Sequence, residues 1–273
     1  MRRLFLSLGL TALACSLAFI SPASAQDALA RAKAAGALNV ATEMQYPPYD
    51  FLKGGEHMGV NVDLFEEIGT EMGLKIEWTD LPWASVLPGL EAKKYDVVAG
   101  PTTITAERMK RFSFSIPMNV TATAIMKRKG DDSILKSADI AGKPIGSQRA
   151  SYQLDQLKSF AETLSEPPVI KEYVDNNQAY ADLAAGRIDG VANSAPNLLY
   201  AAKQRPDVFE VVMPSFGTPS YSGYLVRKDD DSKTLIDAIN AAMLKIQKDG
   251  RMKAIQEKWF GYAVDLPSEV PAP

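Results

Sequence analysis

The sequence predicts an α/β fold with mainly parallel sheets covered by helices, and three observations lead to it. Strand-like apolar runs alternate with segments of helical periodicity along the chain, the order a parallel sheet requires. Of 273 residues, 248 remain once a distinctive N-terminal segment is set aside, enough for one large or two modest domains. Hydrophobic residues make up 46%, normal for a globular core.

The N-terminal segment has Arg2 and Arg3, an apolar run from Leu4 to Ile20, and then Ala23-Ser24-Ala25. This is the charged, apolar and small-residue order of a secretory signal peptide, so residues 1–25 are expected to be cleaved and the mature chain to begin at Gln26 outside the cytoplasm. The run is short for a spanning helix and is broken by Ser7, Gly9, Thr11 and Ser16. Its Cys15 is the chain's single cysteine, and Ala12 stands where a lipoprotein signal would place leucine, which disfavours a lipid anchor. The mature form then lacks any thiol, so disulfides and thiolate chemistry are excluded. Loss of the two arginines leaves 28 basic against 33 acidic residues, a balance of −5 that argues against nucleic acid or anionic lipid as the main partner.

Each element has its own local reason. Asp27 can cap a short helix that ends at Gly36, and ALNVAT then reads as a strand delivering Glu43 and Tyr46 to a turn fixed by Pro47 and Pro48. From Asp63, Phe65, Ile68 and Met72 fall on one helical face until Gly73, after which Leu74, Ile76 and Trp78 alternate as a strand. Further strand and helix pairs are expected at 144–147 with 151–164, 169–174 with 177–185, and 187–192 with 196–204. The Pro-rich stretch after Val264 is expected to fray.

Chemistry concentrates in Tyr95 to Phe114, YDVVAGPTTITAERMKRFSF, where an apolar strand, a threonine-rich turn and Arg108 follow one another. A guanidinium offers a planar fork of donors to a carboxylate, and Thr103 with nearby backbone amides can complete the shell. The ordinary alternative for a lone arginine is a surface salt bridge. His57, the single histidine, reads as a solvated turn residue, and no phosphate-binding glycine loop is apparent.

Seven segments occur in a telling order: YPPYDF from Tyr46, GVNVDLFEEIGTEMGLKIEW from Gly59, VLPGLEAKKYDVV from Val86, TITAER from Thr103, AGKPIG from Ala141, LAAGRIDGV from Leu183 and EKWFG from Glu257. Together they make the chain, from Leu38 to Gly261, resemble the extracytoplasmic solute-binding proteins of family 3, which serve polar amino-acid ABC importers. The resemblance implies a two-lobed periplasmic binding protein fold of type II. Lobe 1 would be residues 26–119 and 225–262 and lobe 2 residues 124–217, joined by a two-strand hinge at 120–123 and 218–224, with 263–273 as a tail. It also implies ligand contacts at Glu43, Tyr46, Trp83, Pro101, Thr103 and Arg108 on lobe 1, with Tyr46 and Trp83 sandwiching the ligand. On lobe 2 the matching pair is Ala150 and Ser151, the latter at a helix start that attracts anions. Arg149 beside them is either a second cation for the ligand or a solvent-facing residue.

Two departures stand out. Ser194 lies five residues beyond Asp189, where amino-acid binders place the acid that holds the ligand ammonium, so another acid, with Glu43 a candidate, must substitute or the ligand lacks that amine. Pro101 withdraws one N–H from the carboxylate shell. The implied function is capture of a small carboxylate, an amino acid or its like, and delivery to an ABC permease by a monomer that needs neither cofactor nor metal. The alternatives are an enzyme resembling cyclohexadienyl dehydratases on the same fold, and a sensing module for a membrane receptor.

Overall fold

The computed structural model describes residues 26–272; the expected signal peptide, residues 1–25, lies outside the described residues. In chain order the elements begin with α1 (Ala28–Ala35), β1 (Ala37–Thr42), β2 (Gln45–Tyr46), β3 (Asp50–Lys53), β4 (Glu56–Met58), α2 (Val60–Met72) and β5 (Lys75–Asp80). They continue with α3 (Trp83–Glu91), β6 (Val97–Thr103), α4 (Ala106–Arg111), β7 (Phe112–Phe114) and β8 (Asn119–Thr121). After β9 (Thr123–Arg128) come β10 (Pro144–Gln148), α5 (Tyr152–Ala161), β11 (Val169–Tyr173), α6 (Asn176–Ala184), β12 (Gly190–Ser194), α7 (Ala195–Gln204) and β13 (Phe209–Val212). The chain closes with β14 (Ser220–Arg227), α8 (Asp230–Lys248) and α9 (Arg251–Phe260).

Two large sheets result. The first runs β5-β1-β6-β14-β7, with β8 also paired to β14, and the second runs β11-β10-β12-β9-β13. The expectation of mainly parallel sheets needs correction, because both are mixed. β5, β1 and β6 pair in parallel, as do β11, β10 and β12, whereas β14 and β9 each run antiparallel to all their neighbours. The antiparallel pairs join strands far apart in the chain, β9 with β12 and β13 and β14 with β6, β7 and β8, and periodicity along the sequence carries no information on their direction.

Alternation along single strands shows that each sheet is covered on both faces. Val97 and Ala99 enter one apolar cluster and Val98 another, and Tyr224 and Val226 divide from Leu225 in the same way. In the second sheet Met126 and Val191 face one cluster and Ile125 and Ala192 the other. The passage between sheets is an antiparallel pair in which Thr121 faces Ser220 and Asn119 faces Ser222.

Helix ends follow local chemistry. Asp27 accepts from the Ala30 amide and Gly36 closes α1 in a left-handed conformation. α2 begins at Val60, three residues before the expected Asp63, because Val60, Asn61 and Val62 are all buried in the first turn. His57 sits in β4, half-buried and edge-on to Trp78, not in an open turn. The tail is also better held than expected: Val264 N–H donates to Gln256 Oε1, Gln247 donates to the Leu266 carbonyl, and Leu266 and Val270 pack on the first sheet's cores.

Candidate functional site

The ends of β1, β6 and β10, in two sheets, meet at one cleft, the place where open α/β folds receive ligands. Its empty volume is about 410 Å³, and its walls include Glu43, Tyr46, Trp83, Pro101, Thr103, Arg108 and Ser151. Seven of the ten residues expected from sequence therefore converge there.

Arg108 is set by its own helix start. Thr105 caps α4 by accepting from the Arg108 amide, and Arg108 Nη1 donates back to the Thr103 carbonyl at 3.1 Å. Among the described residues the guanidinium makes no salt bridge. Burial pulls its pKa below the ordinary arginine value, partly offset by the fields of Asp155 and Tyr152, and it still carries its charge at neutral pH. A surface salt bridge, the ordinary alternative, is thus not what Arg108 does.

Opposite it, Ser151 caps α5. Its hydroxyl accepts from the Leu154 amide at 3.1 Å and donates to the Gln148 carbonyl at 2.7 Å, so the hydroxyl is already committed. Beside it, at the helix start, Tyr152 and Gln153 line the cleft and first-turn amides lack intrahelical partners. Ala150 holds φ +60°, a conformation that glycine adopts more readily than alanine, and its carbonyl accepts from Trp83 Nε1 at 3.0 Å. Trp83 can lie so close because residue 100 is glycine: a Cβ there would come within 3.1 Å of the indole. Arg149 is exposed, 3.9 Å from Glu172, and does not line the cleft.

Polar residues unremarked in the sequence complete the walls. Gln148, at the buried end of β10, donates through Nε2 to both Glu43 oxygens at 2.7 and 2.8 Å. Burial, as the largest influence, raises the Glu43 pKa to about 7, with Gln148 pulling the other way. Glu43 is only 5% exposed, so it is no solvated surface carboxylate. Asn176 donates to Gln148 Oε1, and Asn193 donates to Asn176 and Asn197, forming a buried chain. The Tyr46 hydroxyl ends it, donating to Asn193 Oδ1 at 3.1 Å and sharing a bond with Ser194 Oγ at 2.6 Å. A polar residue closing an apolar strand, as in PIGSQ and GVANS, was the available signal.

Ser194 lies beside the cleft rather than in it. It lines an adjoining recess with Tyr46, Asn119, Thr121, Gln153 and Ser222, none of them ionised at neutral pH. Asp50, also missed, lines the main cleft. No cluster of three or more metal-ligating side chains occurs among the described residues.

Known proteins fit this geometry. The L-cystine-binding protein TcyJ of Escherichia coli (strain K12) is 30% identical over 235 residues, covering 85% of this chain and 86% of the relative. The ABC transporter arginine-binding protein 1 of the same strain is 28% identical over 234 residues, 84% of this chain and 93% of the relative. The solved structure of an ancestral arginine-binding protein bound to arginine superposes with a TM-score of 0.76 at 33% identity, covering 83% of this chain and 99% of that one. The pattern of the bacterial extracellular solute-binding proteins, family 3, matches residues 38–262, and the chain belongs to that family.

Proposed function

We propose that this protein captures a small carboxylate of the amino-acid class between its two lobes and presents it to an ABC permease, working outside the cytoplasm as a monomer after cleavage behind Ala25. The observation that carries the reading is Arg108: a guanidinium that lines the cleft and makes no salt bridge among the described residues is prepared for an anion brought by the ligand. The α5 start faces the same space, so the carboxylate would lie between Arg108 and backbone amides, with Tyr46 and Trp83 against the remainder. Relatives named for cystine and arginine binding support an amino-acid ligand, and catalysis has no part in this reading. The antiparallel pair of β8 and β14 would be the hinge, since these strands carry the chain between the sheets.

Arg108→Ala tests the reading. Removing one partner of a buried charge pair should weaken binding of the best acid found by thermal shift by ~2 to 5 kcal/mol, measured by calorimetry. Unchanged affinity would contradict the proposed carboxylate site.

A further inference from the structure

The cleft has a second wall whose chemistry is the reverse of Arg108. Asp50, the first residue of β3, is fully buried, and Asn61 Nδ2 donates to its Oδ2 at 2.6 Å. Asn61 is itself oriented by the Tyr224 hydroxyl, which donates to its Oδ1 at 2.9 Å. Asp50 Oδ1 and the buried Thr42 Oγ1 each lack a well-formed hydrogen bond, the Thr42 hydroxyl being the neighbour whose contact pulls the acid's pKa down. Both residues line the cleft. A buried acceptor left open costs stability unless an incoming donor completes it.

The other candidates for that donor's partner are otherwise engaged. Both Glu43 oxygens already accept from Gln148 Nε2, Ser194 Oγ is paired with the Tyr46 hydroxyl, and the recess around Ser194 offers no acid. We propose that Asp50 is the acid that receives the cationic nitrogen of the ligand, in place of the acid missing at 194. The inference rests on the reading of the cleft as an amino-acid site and deepens it: the preferred ligands are carboxylates bearing an amine or guanidine.

A proton exchange follows. Burial first, then the fields of Glu43 and Asp80, hold the Asp50 pKa well above the usual carboxylate range. Asn61 and Thr42 act against this, Tyr46, Tyr49 and Tyr224 also feel its field, and no cation is among these groups. In this proposal Asp50 holds a proton in the ligand-free form and becomes an open acceptor only when that proton leaves. When the ligand's cation arrives, Asp50 loses that proton to solvent and its carboxylate accepts an N–H bond on Oδ1, with one proton released and no other bond broken.

The test measures released protons. Wild type, Asp50→Asn and Glu43→Gln are titrated at about neutral pH, by calorimetry in two buffers of different ionisation enthalpy. The probes are L-arginine, L-lysine, L-cystine and L-glutamine, with the corresponding acids lacking the α-amine or the distal cation. The proposal expects a binder that still releases about one proton from Glu43→Gln, wild type releasing that proton and any share that Glu43 itself gives up. Asp50→Asn, an isostere of the protonated acid, should abolish the release and weaken that ligand about 100-fold while leaving the analogue without the cation unaffected. Binding of a cationic ligand without proton release, or release lost in Glu43→Gln and kept in Asp50→Asn, overturns the assignment and leaves the carboxylate site standing. Binding by uncharged analogues alone also overturns it, and binding of no acid in the panel overturns the reading beneath it as well.

Discussion

Glu43 shows how one residue's surroundings become a measurable pH dependence. Its pKa is about 7 in the folded protein against the ordinary 4.5, with burial the main cause. Between those two values the folded protein binds more protons than the unfolded chain, so stability falls as pH rises through that window. The contribution is fully present below about 4.5 and gone above about 7, an order-of-magnitude difference of ~3 kcal/mol. Asp50, also raised, adds a slope of the same sign. Glu43→Gln should therefore flatten, without abolishing, the decline in urea-unfolding stability between these pH values. An unchanged slope would mean that Glu43 is solvated.

At the scale of elements, the termini of helices do most of the positioning. Ser151 stops α5 from fraying and holds Gln148 through the same hydroxyl. Ser151→Ala should cost ~1 to 2 kcal/mol in denaturant unfolding, the usual consequence of a lost N-cap, and should also weaken ligand binding by loosening the helix start. If stability drops and affinity does not, the α5 amides are not part of the carboxylate shell. Element existence was readable because Asp27, Ser151, Gly36 and Gly73 are local signals with local effects. Boundaries were less so. β12 runs to Ser194 rather than stopping at Ala192, since pairing with β9 carries it two residues beyond its apolar stretch. Likewise α2 gains a turn because tertiary burial rewards Val60 and Val62 where helical propensity does not.

Across the whole molecule the two sheets are drawn together by bonds that need no ligand. Gln148 joins Glu43, Tyr46 joins Asn193 and Ser194, Asn197 donates to the Pro47 carbonyl, Asn177 to Gln45, and Trp83 to the Ala150 carbonyl. The closed arrangement therefore has its own stability, to which a ligand adds. A Gln148→Ala variant leaves the buried Glu43 carboxyl without its side-chain donor, a loss of ~1.5 to 3 kcal/mol for a bond to a charged group. The ligand-free variant should then open, giving a larger radius of gyration by small-angle scattering, and should contract again on adding ligand. No expansion would mean that the remaining contacts suffice for closure.

The division between sequence and structure follows from the range of the forces involved. Family, alternation of strands and helices, and the place of Arg108 in the cleft were legible because each depends on residues close in sequence: a strand, a turn and a cap within TITAER, or a glycine after an apolar face. Sheet direction, the pairing of Glu43 with Gln148 and the exclusion of Arg149 from the cleft were decided only by tertiary structure. Asp50 is the clearest case. In YPPYDF it is one acid among 33, and complete burial beside Asn61 and Thr42 is what raises its pKa. Solvation of an ionisable group depends on everything packed around it, and only the folded chain supplies that.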